Sequence, residues 1–181
     1  MNTPALNDSY GRLVEPTTLR LQRLLPGPIE RVWAYLSDGE LRRQWLAAGT
    51  MDLQPGASFE LVWRNDELSD ADDPRPEGFG AEHRATCQFI EVAPPRLMRY
   101  LWPQVGEVCI ELEPQGRGVL LTLTHRRLSG ESQVLSVSAG WHVHLLRLQA
   151  LTEGRTPPSL WRHWKQLRQD YAKQLGVSLP A

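Results

Sequence analysis

Cysteine is nearly absent from this chain. Its two cysteines, Cys87 and Cys109, form no C-x-x-C pair, which excludes a disulfide framework and a cysteine-built zinc site. Excess charge of either sign is also missing: the formal net charge is −1. Such a balance exerts no general pull toward nucleic acid or an anionic membrane. No apolar run approaches the length that spans a bilayer, and residues 1–16 lack the basic start and apolar centre of a secretory signal. These absences point to a cytoplasmic protein with its thiols reduced. A nucleophile elbow of the G-x-S-x-G kind is lacking, and Gly116-Arg-Gly118 has no strand–loop–helix context for cradling phosphate. The sequence implies no cofactor.

What the chain does have is tryptophan: seven among 181 residues, with 41% apolar residues overall. That composition suits one globular domain with a full core. Bulky aromatics fill cores, and they also line ligand cavities.

Periodicity divides the chain. Residues 1–16 are polar and mixed and read as a flexible arm. Residues 17–25 alternate as a strand, with Leu19 and Leu21 on one face and Arg20 and Gln22 on the other. Pro26-Gly-Pro28 stops it. Ile29, Val32, Trp33 and Leu36 follow at helical spacing, and Asp38 is placed to cap a second short helix carrying Leu41 and Trp45. Strand patterns then occupy residues 50–53, 59–63, 83–92, 97–102, 105–113 and 119–127. Their short connections make neighbours antiparallel. Between them, residues 65–82 hold seven acids against one arginine and read as a long exposed loop, with a contact to the basic C-terminal helix as the alternative.

A long amphipathic helix is predicted over 134–153, ending at Gly154, with Trp141, Leu145 and Leu148 on one face. A final helix runs to about 175 and ends at Gly176. Its Leu160, Trp164, Leu167 and Tyr171 make an apolar stripe, and Arg162, Lys165, Arg168 and Lys173 make a basic face.

The order of elements, together with Pro28-Ile-Glu-Arg-Val-Trp33, Leu41 to Trp45-Leu46, Leu53-Gln-Pro-Gly-Ala-Ser-Phe59, Glu91-Val-Ala-Pro-Pro-Arg-Leu97, Leu121-Thr-Leu-Thr-His125 and Gly140-Trp141, resembles the helix-grip fold of the START-like superfamily. Within it the chain is similar to the activator of Hsp90 ATPase homologue 1-like group. The resemblance covers about 17–154. It implies an α+β fold: a curved antiparallel sheet of seven strands wrapped around the long helix, with two short helices after the first strand; the C-terminal helix over 155–176, read from its own periodicity, is an addition packed on the same domain. Related folds bind lipids, sterols, polyketides or plant hormones, so it also implies a hydrophobic or aromatic small molecule held between sheet and helix. A separate reading of the residues is a protein-interaction module, Hsp90 co-chaperone-like or otherwise, using Trp161, Trp164 or the acidic loop. A homodimer stays open.

If the alternation holds, the ligand-facing residues are Trp63, Met98, Tyr100, Trp102, Ile110, Leu121, Leu123 and His125 from the strands, with Trp141, His144, Leu145 and Leu148 from the helix. His125 ends an otherwise apolar inward row. An imidazole there can bond a ligand or transfer a proton, with Tyr100 as a second acid/base in an aromatase/cyclase-like or hydrolase-like enzyme. The alternative is a histidine satisfied by a neighbouring protein group. His142 and His144 are two apart on a helix and point to different faces, so they do not make a metal pair. Cys87 and Cys109 lie two strands apart, about 9.6 Å laterally, beyond disulfide reach.

Overall fold

The computed structural model describes residues 6–179. Seven strands form one antiparallel sheet: β1 (Arg12–Glu15), β2 (Thr18–Pro26), β3 (Ser58–Trp63), β4 (His83–Ala93), β5 (Leu97–Trp102), β6 (Gly106–Gln115) and β7 (Gly118–Arg126), in spatial order β1-β2-β7-β6-β5-β4-β3. Helices α1 (Ile29–Ser37) and α2 (Gly39–Arg42) follow β2, and α3 (Gly130–Thr152) crosses the sheet. Helix α4 (Leu160–Leu175) ends the fold. This is the α+β helix-grip architecture.

Alternation decides which side chains meet α3. One inward row, in register across five strands, reads Leu19, His125, Val108, Tyr100, Phe89. The next reads Leu21, Leu123, Ile110, Met98, Val92. Trp141, Leu145 and Leu148 of α3 close onto these rows. Asp38 caps α2 as its position suggests, its Oδ1 accepting from the Glu40 and Leu41 amides at 2.8 and 3.1 Å. Gly154 and Gly176 adopt left-handed φ values of 69° and 67° behind α3 and α4, the conformation that ends a helix at low cost.

Several expectations need correction. Residues 12–15 of the arm are not loose but pair with β2 as an edge strand. The Gly11 amide donates to the Tyr171 hydroxyl at 2.6 Å, which ties the arm to α4. Residues 1–5 lie outside the described residues. The segment 50–53 is not a strand: β3 receives only the single bridge from Ala48 to Val62 on that side. Helix α3 is not amphipathic in the expected sense. Leu135, Ala139 and Val143 on its second side pack into a separate core with Leu160, Trp161, Trp164 and Tyr171 of α4. A helix apolar on two faces belongs between two layers, so α4 forms a third layer. Among the described residues no helix is long and apolar enough to cross a membrane.

Candidate functional site

The inward row containing His125 is full. The Trp141 indole N–H donates to His125 Nδ1 at 3.0 Å, and Nε2 lies 3.2 Å from the Val105 carbonyl. An indole only donates and a carbonyl only accepts, so the proton sits on Nε2 and both nitrogens are used. Burial, only partly opposed by the carbonyl, pushes the His125 pKa down to about 4. His125 is therefore a neutral strut between β7, α3 and the loop before β6. Tyr100 is 1% exposed, and burial holds its phenol above the usual range. Val108 separates Tyr100 from His125 in register, putting them about 9.6 Å apart laterally. Two polar groups that do not converge on one position cannot share a proton-transfer task.

The open space lies to one side of this packed centre. A cleft of about 340 Å³ runs between the Trp63–Trp102 end of the sheet, one face of α3 and the start of α4. Trp63, Trp102, Trp141, Trp161 and Trp164 line it, five of the seven tryptophans. Trp63 and Trp102 are stacked, ring centroids 5.0 Å apart at 13°. Phe79 leans on Trp161 and Trp164, each 5.0 Å away between centroids. No Asp, Glu, Lys or Arg is among the lining residues.

Four of the twelve sequence-selected ligand residues reach this cleft: Trp63, Trp102, Trp141 and His144. The other eight, Met98, Tyr100, Ile110, Leu121, Leu123, His125, Leu145 and Leu148, are at most 2% exposed. Seven of those eight side chains are apolar or aromatic core. The expected gap under the centre of α3 is closed because those side chains fill it, and the space is displaced toward α4. Both α3 histidines point as their spacing suggests, to different neighbours. His142 Nδ1 lies 2.9 Å from the Tyr171 hydroxyl, and His144 Nδ1 lies 2.6 Å from the Trp45 carbonyl. Burial pushes their pKa values down to about 3 and about 4, with Arg23 adding to the first.

One wall of the cleft comes from the acidic segment, and here the alternative reading prevails over simple solvation. Ser159 has no side-chain cap bond into α4. Asp73, distant in sequence, supplies the cap: its Oδ2 accepts from the Arg162 amide at 2.6 Å and the Ser159 hydroxyl at 2.5 Å. Lys165 lies 3.5 Å from its other oxygen. Asp66 accepts from the Trp161 indole N–H at 2.9 Å. Burial alone would raise the Asp73 pKa, but the bonds from Ser159 and the Arg162 amide, with the Lys165 charge, bring it below the usual carboxylate value. An Asp73→Ala protein should lose about 1–2 kcal/mol, the worth of a helix cap, read as a lower Tm. A depressed carboxylate stabilises fully above its unfolded pKa and loses this as pH falls through its lower folded value, so this part of the loss should begin to shrink below about pH 4 and vanish at still lower pH. An unchanged Tm at neutral pH would remove the capping role.

Three buried arginines escaped the sequence reading. Arg23 shares the inward parity of Leu19, Leu21 and Leu25, a signal that was available. It donates to the Ser9 and Gln22 carbonyls at 3.1 and 2.7 Å. Arg42 donates to the carbonyls of Leu36 and Ser37, each at 3.2 Å, and also to that of Gly49. Arg147 of α3 bonds three carbonyls from three segments. Cys87 and Cys109 are free and buried, with β5 between their strands.

Among solved structures, a Bordetella parapertussis protein determined by solution NMR is 35% identical, with 98% of this chain and 97% of that one covered and a TM-score of 0.78. CalU16 of Micromonospora echinospora is 22% identical over 91% and 93% of the two chains, with a TM-score of 0.64. A conserved protein of unknown function from Enterococcus faecalis is 19% identical over 93% and 91%, with a TM-score of 0.66. No curated protein matches the sequence. The family model described as activator of Hsp90 ATPase homolog 1-like protein matches residues 26–153, more than half of the chain, so this protein belongs to that family, within the START-like superfamily.

Proposed function

We propose that the protein binds a small apolar or aromatic molecule in the cleft between the Trp63–Trp102 pair, α3 and α4. The observation that carries this reading is the wall itself: five tryptophans around about 340 Å³, with no Asp, Glu, Lys or Arg among its residues. That volume lies at the lower end of ligand pockets, about 300–1,000 Å³. It suits a molecule of one to three rings better than a sterol or a long acyl chain. Binding without catalysis is favoured because His125 has no free nitrogen and Tyr100 stands apart from it. The interaction-module reading finds less support, since Trp161 and Trp164 are 2% and 7% exposed and offer no surface patch.

Native mass spectrometry of protein purified from its own host should show an added small-molecule mass. Gly140→Phe, which fills the cleft from α3, should abolish the adduct while the protein stays folded. Absence of any adduct, together with failure of a panel of neutral two-ring aromatics to perturb tryptophan fluorescence, would overturn the proposal.

A further inference from the structure

We infer that the cleft selects a flat, uncharged aromatic molecule bearing an O–H or N–H donor, seated against Gly140 and read by acceptor atoms of His144 and Asn65. This rests on the binding reading above and narrows it to one chemical class.

Gly140 lies in the middle of α3, where glycine is less stable than alanine. Neither usual reason for a glycine applies. Its φ is not in the left-handed region, and a Cβ built on it would meet nothing within 4 Å. The protein by itself has room for a side chain there. A flat molecule lying on the helix backbone would not leave that room. Gly140 lines the cleft, and so does the stacked Trp63–Trp102 pair, whose outer faces are taken by His83 and His125 at 5.5 and 5.9 Å between centroids, so the flat seat is the bare backbone of α3 at Gly140.

Two polar atoms on the wall are acceptors without a partner, beside His83 and Ser136, which can donate as well as accept. The Trp45 carbonyl can only accept, so His144 carries its proton on Nδ1 and presents a lone pair at Nε2. That nitrogen has no partner among the described residues. Asn65 Oδ1 is buried and also unpartnered. Gln133, the other lining amide, is already used at both ends. Its Oε1 accepts from the Ser129 amide at 2.6 Å, and its Nε2 donates to the Gln104 carbonyl at 3.1 Å. A ligand donor would satisfy acceptors that the fold leaves unpaired. No Asp, Glu, Lys or Arg lines the cleft, so an ionised ligand would lose its hydration without meeting a side chain of fixed charge.

Three probes of one shape separate the terms: β-naphthol, its methyl ether and β-naphthoate, titrated by tryptophan fluorescence and calorimetry. β-Naphthol should bind roughly tenfold tighter than the ether, because the ether leaves the acceptors unpaired. The naphthoate should bind more weakly than either. Asn65→Leu should erase most of the naphthol preference while leaving ether affinity in place. His144→Phe should do the same, and if it fails to fold, Asn65→Leu carries the test. Gly140→Ala should raise Tm slightly yet weaken naphthol and ether alike. Equal affinity for naphthol and ether, tighter binding of the naphthoate, or a preference that survives Asn65→Leu would overturn the selectivity and leave the binding proposal standing. No response to any of the three from folded protein would take down both.

Discussion

Between pH 7 and pH 5 the protein should lose stability on the order of 5 kcal/mol, a large share of the 5–15 kcal/mol typical of a domain. The cause is three buried histidines that stay neutral. Burial is the largest contributor for each, pushing His125 and His144 to about 4 and His142 to about 3. All three fold below the ordinary value of about 6.5. A depressed pKa means that the native state resists the proton and the unfolded chain accepts it. The stabilisation is therefore whole above about pH 6.5 and drains away as pH falls toward the folded values. Between those limits up to three protons separate the two states, a slope of about 1.4 kcal/mol per pH unit for each. Urea unfolding followed by circular dichroism across this range measures it directly. His142→Phe is the mildest variant, because the Tyr171 hydroxyl keeps the Gly11 amide as a partner. It should flatten the slope by about one proton. A stability profile level from pH 7 to pH 5 would contradict the burial argument for all three.

The same histidines show how far the sequence could be read. Strand parity placed His125 on the inward face, in line with Leu121 and Leu123, and the structure puts it there. Parity says nothing about whether an inward imidazole meets a ligand or an indole. That outcome depends on Trp141 arriving from α3 at 3.0 Å, a contact between distant elements. The central strands were legible because Val108, Ile110 and Leu112 recur at every second position against Glu111 and Glu113, although Cys109 between them is buried too. Edge strand β1 was not: Arg12-Leu-Val-Glu15 is short, exposed throughout and carries no alternation. The segment 65–82 misled for a different reason. Its acidity looks like solvation in a local window, yet Asp73 is 7% exposed because its partners lie nearly ninety residues on, at the start of α4. The cleft was half legible. Its tryptophans were conspicuous by number, but the position of the gap depends on which side chains fill the centre, and that is a property of packing in three dimensions.

Arg147→Ala should cost about 3 kcal/mol, because each of three buried or part-buried carbonyls left without a donor costs about 1–3 kcal/mol, partly offset by relief of the cost of burying the charge. Arg147 is 8% exposed on α3. Its Nη1 donates to the Leu68 carbonyl at 2.8 Å and to the Pro158 carbonyl, and its Nη2 donates to the Gln44 carbonyl at 3.2 Å. Those three oxygens belong to the acidic segment, the lead into α4, and the turn after α2. A guanidinium can serve all three because its donors are fixed in one plane, whereas an ammonium offers a single point. Arg147→Lys should therefore recover only part of the loss. Arg147→Met tests the mechanism: it restores volume without donors and should remain nearly as unstable as the alanine protein. Thermal unfolding with Arg147→Met close to the parent would mean that packing, not carbonyl pairing, is what Arg147 contributes. The consequence reaches the cleft. Leu160, Trp161 and Phe79 line it from the two segments that Arg147 clamps, so α4 amides should exchange faster in the Arg147→Met protein. Aromatic probes should bind it more weakly even where it remains folded.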